Sequence, residues 1–191
     1  MSVNEFLFEW QGPYGLPEFL KIEDGDFADG FDAALKSHMT EVEAIADNPD
    51  AATFDNTVTA LELAGKDLSR CSALFWNRAG TGSNDMIQEL ERDIAPRMAR
   101  HYSAIAMNRK LFSRIDELWQ KRDTLDLDNE QMRVLERHWK GFVRSGANLD
   151  DANQKRLAAI DEELAGLSAR FGQNVLRDEK DWYLALDDDE G

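Results

Sequence analysis

Apolar residues recur every three or four positions along most of this chain, which is the spacing of one face of an α-helix. The first run starts at Phe27 and stops at Pro49, since proline cannot continue a helix. The second starts at Thr53, a residue type that caps helix N-termini, and reaches Phe75. Gly65 lies inside this second run at a cost of roughly 1 kcal/mol relative to alanine, so the pattern predicts a close helix contact there.

Two more helical segments follow. The third helix is capped by Ser83 or Asn84 and contains Pro96, which is expected to kink it. A fourth segment at 111–119 either continues the third helix or stands alone. The pattern therefore leaves the boundary between these two segments open.

The last two predicted helices have clear start signals. Asp128 opens the fifth helix with Gln131 in the reciprocal position of a capping box, and Gly146 supplies its left-handed stop. Asp150 or Asp151 opens the sixth helix. The buried stripe predicted for this sixth helix consists of Leu157, Ile160, Leu164, Leu167 and Phe171.

Both ends of the chain depart from the helical period. Residues 1–25 are broken by glycine and proline, and Trp10, Tyr14 and Phe19 lie between the breaks, which predicts an extended arm docked through its aromatic side chains. The alternating residues from Trp182 to Leu186 predict a short strand. A lone strand leaves its backbone unpaired, so we expect its partner in sequence that would follow Gly191.

These patterns predict an all-α protein of about six helices in an antiparallel array, with an aromatic-rich N-terminal arm and one short C-terminal strand. The predicted divisions are an extended arm at 1–25, a helical domain at 26–178, and a strand and linker at 179–191. A chain of 191 residues is long enough for one well-buried core.

The chain carries 38 acidic and 22 basic residues, which gives a formal charge of −16. Such a surface repels nucleic-acid phosphates and anionic membrane faces, which argues against both as partners. The acidic excess either keeps the protein soluble or attracts cationic peptides. Residues 1–10 lack the basic and apolar regions of a signal peptide, and no stretch reaches the ~20 apolar residues of a membrane span. A cytoplasmic location is predicted.

The three histidines offer little catalytic chemistry. His38 and Glu41 have the spacing found in dimetal helix bundles, but a second Glu-x-x-His pair is missing, so a structural histidine is preferred. His101 is predicted at the edge of the core, and His138 at an exposed or interfacial position. No His-Glu dipeptide occurs, so the zinc motif His-Glu-x-x-His cannot form in these residues.

The other candidates have simpler interpretations. Cys71 is the single cysteine and is predicted to be a buried, inert thiol. The run Gly80-Thr81-Gly82 lacks the lysine and serine of a phosphate loop and is predicted to be a turn. The acidic run Asp187 to Glu190 lacks the spacing of a calcium loop and is predicted to be a linker. The sequence therefore predicts no catalytic, cofactor-binding or metal-binding residue within the 191 positions.

Six strings occur in a fixed order along the chain: Phe27 to Pro49; Thr53-Phe54-Asp55-Asn56-Thr57-Val58-Thr59-Ala60-Leu61-Glu62; Ala95-Pro96; Asn108 with Leu111-Phe112; Phe142-Val143-Arg144-Ser145-Gly146-Ala147; and Phe171-Gly172-Gln173-Asn174-Val175-Leu176. Together they resemble one family, the thimet-oligopeptidase-like zinc metallopeptidases, which includes peptidyl-dipeptidase and oligopeptidase A. The run Leu118 to Arg122 followed by Leu127-Asp128 is more similar to peptidyl-dipeptidase than to oligopeptidase A. The resemblance covers essentially the whole chain but only the first third or less of a typical member.

The resemblance implies a helical, two-lobed enzyme with a deep channel between the lobes. It implies a zinc ion held by His-Glu-x-x-His and a downstream glutamate, all expected beyond Gly191. The chain would then be the non-catalytic N-terminal part, inactive by itself, and would form one wall of a channel for short peptides. The alternative is a free-standing helical binding module without activity. Any dimer of the chain is expected to be an effect of truncation.

Overall fold

The computed structural model describes residues 4–183, and every regular element in that range is helical. Helix α1 spans Asp26–Ala46, and a π-helical turn at Phe54–Thr59 leads into the short α2 at Ala60–Leu63. The longer helices that follow are α3 (Lys66–Gly82), α4 (Asp85–Ala106), α5 (Arg109–Lys121), α6 (Asn129–Arg144) and α7 (Asp151–Asp181). The all-α prediction is confirmed for the described residues.

Side-chain caps start the helices where the sequence predicted them. Thr53 and Asn56 form a reciprocal capping box, as do Asp128 and Gln131. Asn84 and Asp150 each accept a hydrogen bond from the third backbone N–H of α4 and α7. These caps resolve the two ambiguous starts in favour of Asn84 over Ser83 and of Asp150 over Asp151.

The end of α6 and the boundary between α4 and α5 can also be read from the structure. Gly146 has a φ of 90°, and Ala147 N–H donates to the Phe142 carbonyl at 3.0 Å, so the predicted left-handed stop of α6 is confirmed. Met107 and Asn108 separate α4 from α5, and Asn108 caps α5. Helix α4 is continuous through Pro96.

Two buried clusters hold the helices together. One joins the N-terminal half of α1 to α3 and α4, with Phe31 and Phe75 in edge-to-face contact at its centre. The other joins the C-terminal half of α1 to the π-turn, α5 and α6. Helix α7 packs along α4 and adds only Ala169 to the buried apolar residues.

The N-terminal segment differs from the predicted extended arm. It forms three short 3₁₀ turns, at Glu5–Leu7, Pro13–Gly15 and Phe19–Lys21. Leu7 is fully buried and docks the segment, while Tyr14 and Phe19 are exposed. The predicted extended arm held by its aromatic residues is therefore not supported. Of the three predicted aromatics only Trp10 packs against the buried cluster, and Leu7 fills the gap beside Gly30, whose missing side chain leaves room for it.

Gly65 does not lie inside a helix, as the sequence predicted. It has a φ of 74°, the left-handed conformation that glycine adopts without strain, and it separates α2 from α3. A side-chain carbon at this position would lie 2.9 Å from the ring of His38 on α1. The predicted close helix contact is present, but it occurs at a break in the chain.

The predicted buried stripe of α7 is wrong in its C-terminal part, whereas its first members, Leu157 and Ile160, are half-buried. Leu164, Leu167 and Phe171 are 54%, 46% and 71% exposed, because α7 turns its small and polar residues toward α4. The predicted C-terminal strand is not supported where it can be checked: Trp182 and Tyr183 are exposed and form no strand. Residues 184–186 of that predicted strand lie outside the described residues.

Candidate functional site

A cleft of about 930 Å³ opens between the helices. Helices α2, α4 and α6 supply most of its walls, and α1, α3 and α7 each add a residue. Its apolar lining comes from Leu61, Ile105, Val134 and Phe142. Half of the lining residues are polar, and the volume lies in the range of typical ligand sites.

Two histidines from different helices meet beside this cleft. His38 of α1 and His101 of α4 are each 8% exposed, and His101 Nε2 lies 3.0 Å from His38 Nδ1. One of these nitrogens must donate and the other accept, so the hydrogen bond requires at least one neutral ring. The pair satisfies two polar groups that would otherwise be buried without partners.

Burial keeps this pair uncharged at neutral pH. Loss of solvent lowers the pKa of His101 to about 4, and the nearby His38 would repel a second positive charge. Burial also lowers the pKa of His38, while the negative charge of Glu41 acts in the opposite direction. The two rings therefore serve as hydrogen-bonding groups rather than as cations.

Gly65 and Glu41 fix the geometry around His38. The Gly65 N–H donates to Glu41 Oε2 at 2.6 Å, which holds the start of α3 against α1. His38 and Glu41 share one face of α1, but the two side chains have different partners. Glu41 holds the glycine, and His38 pairs with His101.

Two polar pairs from separate helix pairs also border the cleft. His138 Nε2 of α6 lies 2.5 Å from Glu62 Oε1 of α2, so the predicted interfacial position of His138 is confirmed. Ser103 of α4 donates to Asp161 of α7 at 3.1 Å. Hydrogen-bonding groups therefore border an apolar lining, an arrangement that suits a ligand with both polar and apolar parts.

Two catalytic arrangements, a metal cluster and a serine nucleophile, can be checked among the described residues. Over residues 4–183 no cluster of three or more histidine, cysteine, aspartate or glutamate side chains is placed to hold a metal. Ser103 contacts a carboxylate and no histidine, so it lacks the base of a serine nucleophile. That the chain has no catalytic, cofactor or metal residue stays a prediction.

Cys71 lies in the other buried cluster, away from the cleft lining. It is fully buried, and burial raises the pKa of its thiol to about 12. The predicted burial of this thiol is confirmed, and its inertness stays a prediction that the burial supports.

The other two sequence candidates fall elsewhere. Gly80 to Gly82 form the last turn of α3 rather than a loop, so the predicted turn is wrong at these residues. The acidic run 187–190 lies outside the described residues. Within the described part of the chain, no helix is long and apolar enough to cross a membrane.

Comparisons with known proteins identify relatives. The chain is 35% identical to the dipeptidyl carboxypeptidase of Salmonella typhimurium and 33% identical to that of Escherichia coli, in each case over 98% of its own length. It is 21% identical to a thimet-like oligopeptidase of Dictyostelium discoideum over 91% of its length. No family model matches the chain.

The chain spans only part of these relatives. It covers 28% of the length of each dipeptidyl carboxypeptidase and 25% of the oligopeptidase. Identity is higher to the two dipeptidyl carboxypeptidases, as the sequence strings predicted for the peptidyl-dipeptidase side of the family. The predicted resemblance is confirmed: the chain is similar to two dipeptidyl carboxypeptidases and to a thimet-like oligopeptidase.

Proposed function

We propose that this chain is the N-terminal, non-catalytic part of a zinc-dependent peptidyl-dipeptidase or oligopeptidase that hydrolyses short peptides. The observation that carries the proposal is the coverage: 98% of this chain matches two dipeptidyl carboxypeptidases, but the match takes up only 28% of each. The catalytic residues then belong to the remaining part of the longer protein. Short peptides are its proposed substrates, and the cytoplasm its proposed location.

The proposed role of the chain is to form one wall of the substrate channel. The cleft supports this role because its apolar lining and bordering polar pairs suit the mixed chemistry of a peptide. The formal charge of −16 adds an attraction for cationic peptides and repels nucleic acid. No step of bond cleavage is assigned to these residues.

The activity proposal is tested with the chain alone and with the full-length protein. Each is incubated with a short peptide and zinc, and the products are separated by mass spectrometry. We expect the full-length protein to release products in a chelator-sensitive reaction, while the chain alone stays inactive. Chelator-sensitive cleavage by the purified chain would refute the assignment of its role, and an inactive full-length protein would refute the parent enzyme.

The channel-wall role needs its own test, in the full-length protein. Gly141 lies on the cleft side of α6, is exposed, and has open space where a side chain would project. We expect Gly141→Trp to obstruct the cleft and raise KM for peptides several-fold. Lys140→Trp, at a neighbouring exposed position outside the cleft lining, serves as the matched control. Equal KM values for the two variants would refute the channel-wall role without affecting the peptidase assignment.

A second candidate is a free-standing binding module. It is favoured by one observation, that residues of this chain by themselves line the cleft. A reading frame that stops after residue 191 would support the module, whereas a long extension that contains His-Glu-x-x-His would support the peptidase.

A further inference from the structure

We infer that the outward face of α7 is a docking surface for the polypeptide that follows residue 191 in the longer protein. The inference rests on the proposed function, in which this chain continues into such a polypeptide. The surface, here named the α7 seam, consists of Leu164, Leu167, Phe171 and Val175. These side chains are 54%, 46%, 71% and 40% exposed.

The seam faces away from the rest of the described structure. On other faces of α7, Asp161 accepts from Ser103, Glu162 pairs with Arg100, and Gln173 donates to the Gln88 carbonyl of α4. At 100° per residue, Glu162 and Gln173 lie roughly 120–180° around the helix from the seam residues, while Asp161 lies at the border of the seam. Over residues 164–175 helix α7 thus presents an apolar face to solvent, whereas Leu157 and Ile160, on the same face near its start, are half-buried.

The spacing of the seam suits a second helix. Its residues follow one another at intervals of three or four, which forms a continuous stripe about 17 Å long. Apolar stripes of this kind pack by inserting their side chains between those of a neighbouring helix. The occupant is therefore an amphipathic helix with an apolar face of its own.

The position of the chain end favours the downstream polypeptide as this occupant. Helix α7 ends at Asp181, and ten residues, 182–191, remain before the end of the sequence. Connections between neighbouring helices commonly span about two to eight residues, so a stretch of ten is long enough for the chain to reverse direction. A segment that starts beyond residue 191 can therefore return along α7 and cover the seam.

The relatives supply the length that this occupant needs. The chain covers 28% of each dipeptidyl carboxypeptidase, so about two and a half times its own length remains in those proteins. A second copy of the chain is disfavoured as the occupant, because two molecules with a formal charge of −16 repel each other. The observations therefore favour an intramolecular partner.

Thiol labelling tests the inference in the 191-residue chain and in the full-length protein. Leu167→Cys places a thiol within the seam, and Arg177→Cys places one at an exposed position outside it. The buried Cys71 supplies the background reaction in unsubstituted protein. We expect both introduced thiols to react with a maleimide at similar rates in the 191-residue chain. In the full-length protein, Leu167→Cys should react at least tenfold more slowly while Arg177→Cys keeps its rate.

The outcomes separate this inference from the proposed function. Equal labelling of Leu167→Cys in the two proteins would overturn the docking surface, even if the full-length protein cleaves peptides. Concentration-dependent protection of Leu167→Cys in the 191-residue chain would overturn it in favour of a second copy. A full-length protein that protects Leu167→Cys but cleaves no peptide would uphold the docking surface and refute the peptidase.

A stability measurement covers the case in which the thiol variant folds poorly. Leu167→Glu places a charge in the seam, and it should leave the urea midpoint of the 191-residue chain nearly unchanged because the position is exposed there. In the full-length protein the same change should lower the midpoint. An equal shift in the two proteins would contradict the inference.

Discussion

The buried histidine pair makes the stability of this protein depend on pH below neutrality. The folded chain holds His101 uncharged down to a pKa of about 4, whereas the same residue in an unfolded chain titrates near 6.5. Between these values the unfolded chain binds a proton that the folded chain does not. Acid therefore favours unfolding, and the stability conferred by a neutral His101 is present above pH 6.5 and lost as the pH falls toward 4.

The size of the effect follows from the two pKa values. The difference between 6.5 and about 4 corresponds to about 3 kcal/mol when the window is crossed completely. At pH 5 the unfolded histidine is almost fully protonated and the folded one is mostly neutral, which gives a loss of about 2 kcal/mol relative to pH 7. The pKa of His38 is lowered as well, so His38 adds a contribution of the same sign.

Urea unfolding of the wild type and of His101→Gln measures this loss directly. Glutamine at position 101 stays neutral at every pH and can still hydrogen-bond to His38. The excess of acidic residues also changes stability with pH, since acid relieves their repulsion, but this effect is common to both proteins. Subtracting the two pH profiles therefore isolates His101, and we expect a difference of about 2 kcal/mol between pH 7 and pH 5.

Two results would refute the reasoning. One is a pH dependence of unfolding that is the same in the wild type and in His101→Gln. The other comes from proton NMR, which can follow the ring signals of all three histidines. A midpoint for His101 near 6.5 in the folded protein would mean that burial does not keep this ring neutral.

Two further predictions concern glycine and cysteine. Gly65→Ala should destabilise the fold by roughly 2 kcal/mol, because φ is 74° there and the new carbon would press on the His38 ring. Gly141→Ala, in open space within α6, should raise stability by up to ~1 kcal/mol. Similar urea midpoints for the two variants would contradict the argument. Cys71 should resist a thiol reagent in the folded protein and react on unfolding; rapid reaction under native conditions would contradict its burial.

Helix boundaries could be predicted because their signals are local. Thr53, Asn84, Asp128 and Asp150 each cap a helix by a hydrogen bond to a backbone N–H three residues later, and such contacts depend on a few adjacent positions. The left-handed stop at Gly146 is local in the same sense. A single sequence contains everything that decides these features.

The candidate site could not be predicted because its contacts are distant in sequence. His38 and His101 lie 63 positions apart, and the Glu62–His138 pair spans 76. The positions of His38 and His101 in the apolar stripes of two helices indicated that these rings are buried, but not that they pair with each other. The break at Gly65 was missed for a related reason, since the ring that excludes a side chain there belongs to another helix.

The α7 seam shows that a correctly identified helical spacing of apolar residues can still lead to a wrong prediction of what covers them. The three-to-four spacing of Leu164, Leu167 and Phe171 establishes that they share a helix face, but it does not say what covers that face. The sequence argument assumed a cover within this chain, and the described residues instead bury Ala169 and Gln173 against α4. A buried pattern without a local partner is what a helix would show if its partner lay elsewhere in a longer protein. The failed prediction and the partial coverage of the relatives thus have one physical explanation under the proposed docking surface.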